Sequence, residues 1–233
     1  MNSSQPIVMI PGLVCTPRLF EAQIPALWQF GPVMVADHRK QASIPEIAKS
    51  ILANAPPKFT LLGLSMGGYI SFEIMRQAPE RVAKLILMNT SARPDTPEQT
   101  TARNTAIAQT QSGNFKEAME ASLKLIFRDY QNPELRKVFL QMSEETGAEQ
   151  FIGQQRAIMG RIDSRPYLKD IKCPTLIIAA EDDVIIPPPV MKEIADGIAG
   201  SKFVLIPNCG HTSTLEQPKL TTQALVEWLK ELR

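Results

Sequence analysis

Histidine and cysteine are both scarce in this chain. Only two histidines, His38 and His211, occur in 233 residues, so any reaction that needs an imidazole has two candidates. The three cysteines, Cys15, Cys173 and Cys209, are odd in number and show no CxxC or Cys/His ligand spacing, which argues against a disulfide framework or a zinc site. They suit a reducing, cytoplasmic compartment, with Cys15 and Cys209 expected as small buried hydrophobes. Charge of one sign is missing too. A formal net charge of +1 with 21% charged residues leaves no long-range field to draw nucleic acid or an anionic membrane, and neither partner is expected. Long apolar runs are absent: Ile7–Ile10 breaks at Pro11-Gly12, and Met1-Asn2-Ser3-Ser4-Gln5 has no basic stretch. The start of the chain therefore reads as a first core strand, not as a signal peptide or membrane span. No internal repeat or low-complexity segment interrupts the sequence.

What is present is a pattern of short apolar strands alternating with amphipathic helices, over a length suited to one α/β domain with an insertion. Strands are expected at Ile7–Ile10, Val33–Asp37, Thr60–Leu64, Leu85–Met88, Pro174–Ala180 and Phe203–Ile206. A helix around Leu19 to Gln29 would bury Phe20, Ile24 and Leu27. Ser43 and Glu46 form a capping box for a helix whose stripe is Ile44, Ile47, Ile51 and Leu52 and which Pro56-Pro57 stop. Pro218 opens a closing helix expected to bury Leu220, Leu225, Leu229 and Leu232. From about Ala92 to Tyr167 no strand is expected. Helical periodicity runs through Phe115, Met119, Leu123 and Ile126, then through Leu135, Val138, Phe139 and Met142.

The stretch on which the rest hangs is Thr60-Leu61-Leu62-Gly63-Leu64-Ser65-Met66-Gly67-Gly68, a strand that enters Gly-x-Ser-x-Gly and continues as a helix. Gly63 and Gly67 are what so tight a turn requires, since a Cβ at either would collide. The Ser65 hydroxyl is thereby exposed, and the Met66 N–H, at a helix N-terminus, can face an oxyanion. Two further clusters follow strand ends: Glu181-Asp182-Asp183 after the strand ending at Ala180, and Gly210-His211 after the last strand. Acids in that place and order can orient a histidine, although position alone does not choose among the three.

With those residues the sequence resembles the α/β-hydrolase superfamily, Gly63–Gly68 standing as its nucleophile elbow, and the resemblance spans nearly the whole chain outside residues 92–167. It implies a doubly wound, mostly parallel sheet formed by residues 1–91 and 168–233, with 92–167 as a helical cap. It also implies a Ser65, Asp183, His211 triad. Matching Ala180 to the family's glycine and Pro187 to its proline selects Asp183, with Asp182 the fallback, and Gly210-His211 followed by Glu216-Gln217-Pro218 matches the histidine loop. The second oxyanion donor falls on the backbone N–H of Leu13, where Pro11-Gly12 replaces the usual His-Gly. Asp37-His38-Arg39 lacks the glycines of the corresponding family segment, so His38 is expected as a surface loop residue outside catalysis.

The activity so implied is a cofactor-free, metal-free serine hydrolase, a monomer or homodimer, cleaving carboxylic esters of small or medium apolar molecules through an acyl-enzyme. A serine at this position speaks against the haloalkane dehalogenase and epoxide hydrolase branches, which use aspartate. The same fold also serves C–C bond hydrolysis, a menaquinone-pathway lyase and ligand receptors with residual hydrolysis. Arg156, Arg161 and Arg165 are the residues that could hold the carboxylate of a C–C or lyase substrate. Phe115, Phe127, Phe139 and Phe151 are the candidates for an apolar pocket.

Overall fold

The computed structural model describes residues 5–232, so the expectation that no leader occupies the start of the chain falls, for Met1 to Ser4, outside the described residues. In chain order the elements are β1 (Ile7–Ile10), α1 (Ile24–Leu27), β2 (Val33–Val35), α2 (Ile44–Asn54), β3 (Phe59–Leu64), α3 (Met66–Gln77), β4 (Val82–Met88), α4 (Pro97–Gln111), α5 (Phe115–Ile126), α6 (Pro133–Thr146), α7 (Ala148–Met159), β5 (Thr175–Ala180), α8 (Pro188–Gly197), β6 (Lys202–Ile206), α9 (Ser213–Glu216) and α10 (Pro218–Glu231).

The six strands form one sheet in the order β2-β1-β3-β4-β5-β6, and every pairing among the described residues is parallel. Parallel strands covered on both faces read as unbroken apolar runs, and β1, β3 and β5 are buried along their whole length. Alternate residues feed two cores. Val8, Leu61, Leu85 and Ile177 face α2, α3 and α8, whereas Met9, Leu62, Ile86 and Ile178 face α10 and the helices between β4 and β5. The chain leaves β1 toward β2 but leaves β3 toward β4. The carboxyl ends of β1 and β3 therefore flank the point where the winding reverses, the crevice where open α/β sheets place their sites.

Three expectations need correction. The helix over Leu19–Gln29 is instead a 3-10 turn at Pro17–Phe20 followed by the four-residue α1, because Pro25 lacks the N–H that a continuous helix would need there. Of the leucines assigned to the core by the closing helix, Leu225 and Leu229 are buried along with Trp228, but Leu220 and Leu232 are 40% and 37% exposed. They lie at the two ends of α10, where the stripe runs past its support. His38 is not a surface residue: it is 1% exposed, turned inward between the outward-facing Asp37 and Arg39.

The helices α4 to α7 carry the chain from β4 to β5. Thr96 and Gln99 form a full capping box on α4, and Asn132 caps α6 with Pro133 in its first turn. Their apolar residues do not form a separate core. Met119, Phe139, Met142 and Phe151 join Leu64, Ile178 and Leu225 in a single cluster. Among the described residues, no helix is long and apolar enough to cross a membrane.

Candidate active site

At the β3–α3 junction Ser65 has φ 55° and ψ −116°, a conformation that costs about 1–3 kcal/mol and holds only where the surroundings enforce it. They do so here. The Ser65 N–H donates to Met88 O at 2.9 Å, and Ser65 O accepts from Thr90 Oγ1 at 2.8 Å and from the Gly68 N–H. A Cβ on Gly63 would lie 2.4 Å from Gly67 O, in the other arm of the turn, and one on Gly67 would lie 2.0 Å from Ile10 O, at the end of β1. Only glycine fits at either place.

The turn aims the hydroxyl at the histidine. Ser65 Oγ lies 2.8 Å from His211 Nε2, and His211 Nδ1 lies 2.7 Å from Asp183 Oδ2. The ring is thus flanked by a hydroxyl and a carboxylate, so Nδ1–H donates to Asp183 and Nε2 is left to accept from Ser65. Asp183 is 3% exposed, yet its carboxylate is surrounded by donors. Oδ1 accepts from the N–H groups of Ile185 and Ile186, both at 2.9 Å, and Oδ2 also accepts from Asn89 Nδ2 at 3.1 Å. Burial pushes its pKa up. The His211 charge and the bonds from His211, Ile186 and Asn89 outweigh that and hold it below the usual value. Asp182, the alternative acid, points away and pairs with Arg128 at 2.9 Å, both partly exposed.

The histidine loop is anchored from outside the sheet. The His211 N–H donates to Ile126 O at the end of α5, while Glu216 accepts from the N–H groups of Gly210 and Arg128, both at 2.8 Å. Burial raises the Glu216 pKa against those two bonds. A Cβ on Gly210 would sit 2.7 Å from Ile126 O, so the approach again demands glycine.

Beside Ser65, the loop after β1 is fixed by groups that sequence reasoning missed. Val14 has φ 54°; its N–H donates to Gln154 Oε1 of α7 at 3.0 Å and its carbonyl accepts from Thr146 Oγ1 of α6 at 3.1 Å. His38 Nε2 lies 2.9 Å from Gly12 O and 3.1 Å from Gln154 Nε2. Burial drives the His38 pKa down to about 4, against the bond to Gly12, so near neutral pH the ring is uncharged. Asn89 was also missed. It follows β4 at the carboxyl edge of the sheet, as the acids follow β5, and that placement is the signal that could have found it.

Gly12, Leu13, Ser65 and His211 open onto a cavity of about 290 Å³, whose walls include Met119, Ile126, Phe139, Phe151 and Ile158. Of the four phenylalanines singled out in the sequence, Phe139 and Phe151 line it. Phe127 packs edge-on behind Phe139 at 6.0 Å, and Phe115 packs behind Phe151 at 5.5 Å. Arg156 faces outward into a polar groove, Arg161 is tied to Asp95, and Arg165 pairs with Asp163 and Glu193. The arginine that does line the cavity is Arg103, on α4. Cys15 lines it too, but burial raises its thiol to about 12, and Cys209 is raised to about 12 likewise, so neither is a nucleophile at neutral pH. Among the described residues no three His, Cys, Asp or Glu side chains gather into a metal-binding group.

Residues 46–218 match the family model of the alpha/beta hydrolase fold. The chain is similar to a thermophilic esterase from Thermogutta terrifontis at 29% identity and TM-score 0.88, covering 97% of this chain and 90% of that one. It is also similar to the pimeloyl-[acyl-carrier protein] methyl ester esterase of Wigglesworthia glossinidia brevipalpis, 28% identical over 82% of this chain and 78% of the relative. The enol-lactonase of Burkholderia xenovorans LB400 shares the fold at 23% identity and TM-score 0.89, over 98% of this chain and 92% of that one.

Proposed function

The chain belongs to the alpha/beta hydrolase fold family, and we propose that it is a serine hydrolase cleaving carboxylic esters of small or medium apolar molecules through an acyl-enzyme. The observation that carries this reading is the unbroken row from Ser65 Oγ through His211 to Asp183, at 2.8 and 2.7 Å, opening on a mainly apolar cavity. A neutral serine is a weak nucleophile. As Ser65 Oγ attacks the ester carbonyl, His211 Nε2 takes its proton, and the same proton goes to the alcohol oxygen when the C–O bond breaks. Water, deprotonated by His211, then attacks the acyl carbon, and as the bond to Ser65 Oγ breaks His211 returns that proton to Oγ and the acid is freed. Asp183 holds the tautomer and stabilises the imidazolium.

The developing oxyanion is received by the N–H groups of Leu13 and Met66. Met66 is the first residue of α3, so its N–H has no partner within the helix, and a Cβ on Gly12 would lie 3.3 Å from Ser65 Cβ, so glycine lets the loop that carries Leu13 run close to Ser65. Helices α4 to α7, residues 92–167 with their flanks, act as the cap that selects the substrate. Leu125 and Ile185 are exposed large apolar residues that also line the cavity, which suits entry of an apolar chain. The buried neutral thiols suit a cytoplasmic enzyme.

A fluorophosphonate probe tests the assignment: it should modify Ser65 and no other residue, and Ser65→Ala should abolish both labelling and turnover of p-nitrophenyl esters of graded chain length. Adduct on a different serine with Ser65 untouched sinks the reading.

A further inference from the structure

We propose that Arg103 is the recognition point for a carboxylate carried by the substrate, so that the ester accepted here has an apolar chain ending in an acid. The proposal rests on the hydrolase reading only in assigning that carboxylate to a substrate. It begins with a charge imbalance just behind the cavity wall, to which Arg103 belongs. Asp95, with its side chain 2% exposed, lies between two guanidiniums: Arg103 Nε at 2.6 Å and Nη2 at 3.4 Å on one side, Arg161 Nη1 at 2.6 Å on the other. One carboxylate for two arginines leaves a formal charge of one positive unit in this cluster.

The two arginines are not equivalent. Arg161, 6% exposed in its side chain, is used up inside the protein: Nη1 also donates to Ile158 O, Nε donates to Arg93 O, and the guanidinium lies 4.3 Å from the centre of the Tyr69 ring. That arginine already gives Asp95 the partner a buried carboxylate requires. Arg103, 20% exposed, lines the cavity with Ser65 and His211. Among the described residues that line it, and apart from His211, it is the one ionisable cation. Its Nη1 is steadied by Gln155 Oε1 at 2.7 Å, and Gln155 and Gln109 lie in the same wall. Of the five N–H groups of a guanidinium, those bonds take three, leaving two for a ligand. A cation facing a mainly apolar pocket is costly unless it gains a counter-charge, and the planar fork fits a carboxylate. An arriving acid would supply what Asp95, shared with Arg161, does not.

The test compares acids with their neutral counterparts: monomethyl adipate with dimethyl adipate, and 6-acetoxyhexanoate with its methyl ester, which puts the carboxylate on the acyl or the alcohol side. In at least one pair the acid should have the lower KM. Arg103→Gln should raise that KM about 10- to 100-fold, the range for a hydrogen bond to a charged group, and leave the neutral counterpart within about twofold. Fluorophosphonate labelling of Ser65 at the wild-type rate shows that the variant is folded, and Arg103→Lys, which keeps the charge without the fork, serves if it is not. Preference for the neutral esters in the wild type, or an equal loss for acid and neutral forms in Arg103→Gln, overturns the proposal.

Calorimetry with monomethyl adipate and with 6-acetoxyhexanoate on the Ser65→Ala protein gives a readout free of turnover. Binding that Arg103→Gln removes supports the subsite even if Ser65 proves unreactive and the hydrolase reading fails. No binding of either acid, or binding that Arg103→Gln leaves unchanged, overturns it.

Discussion

Two adjacent aspartates in the loop after β5 show how one residue of register divides two roles. Asp183 is held by four donors, among them the His211 ring, whereas Asp182 turns outward to Arg128. On the proposed mechanism, Asp183→Asn removes the charge that stabilises the imidazolium and the acceptor that fixes its tautomer. It should lower kcat by about 10⁴, as the equivalent change does in serine proteases. Asp182→Asn loses only a partly exposed ion pair and should change kcat less than about twofold. Steady-state kinetics on the two variants decide this, and a reversed order would mean that the histidine draws its support from elsewhere. The sequence placed Asp183 through Pro187 in register, not through its chemistry. Nothing in the string of acids says that Oδ1 will meet the N–H groups of Ile185 and Ile186. Asn89 carried only its place after β4 as a signal, and its role was not legible there, because its amide is oriented by Ser213 Oγ, 124 positions away, at 3.0 Å.

Among the elements, what the sequence made legible followed from how each is buried. Strands covered on both faces had to be continuous apolar runs, so β1, β3, β4 and β5 stood out, and their alternation with helices pointed to a doubly wound parallel sheet without giving the strand order. Helix α4 was much less visible, since Pro97–Gln111 buries only Ile107 and Thr110 and is held at its start by the Thr96–Gln99 box. With α4 unread, Arg103 could not be placed at the cavity. The bond from α7 to the loop after β1 was equally hidden, since Gln154 reads as a polar helix residue and its partner, the Val14 N–H, is 140 positions away.

That bond ties the proposed cap to the proposed oxyanion hole. Gln154→Ala frees the Val14 N–H, and the strained φ of 54° loses one of its two supports, so the Leu13 amide next to it should be less well placed. A donor of this kind contributes about 3 kcal/mol when removed outright. A loosened one should lower kcat by about 10- to 50-fold with KM nearly unchanged. A rise in KM alone would assign Gln154 to substrate binding instead. The aromatic layer makes a companion case: Phe139→Ala and Phe151→Ala enlarge the cavity and should shift chain-length preference toward longer esters. Phe127→Ala, one layer back, should cost a similar amount of stability, about 3–5 kcal/mol, but leave the preference order unchanged. An ester panel separates the two outcomes, and a denaturant titration checks the shared cost.

For the molecule as a whole, the helices between β4 and β5 share the core of the sheet, so the site is closed by one continuous body whose stability should depend on a histidine in its interior. His38 lies beneath the loop after β1, uncharged, where Gly12 and Gln154 converge. The absence of the family's glycines from Asp37-His38-Arg39 made it read as exposed. Asp37 and Arg39 in fact pair with each other outside, leaving only the residue between them to face inward.

Its folded pKa, near 4, is below the ordinary value near 6.5, so between these limits the unfolded chain binds a proton that the folded chain does not. Stability from this group is therefore full above about pH 6.5 and is lost as pH falls toward 4, by about 3 kcal/mol at most. Asp183, whose folded pKa is also lowered, acts in the same direction but below the ordinary carboxylate range, and Glu216, whose pKa is raised, opposes it. Both are common to the wild type and His38→Gln. The variant keeps an amide that can donate to Gly12 O but has nothing to protonate. It should be less stable at pH 7.5, where the ring packs well, yet lose less stability on acidification, so that urea midpoints of the two proteins converge between pH 6.5 and 4. Parallel curves across that window would show that His38 takes up its proton without unfolding the loop.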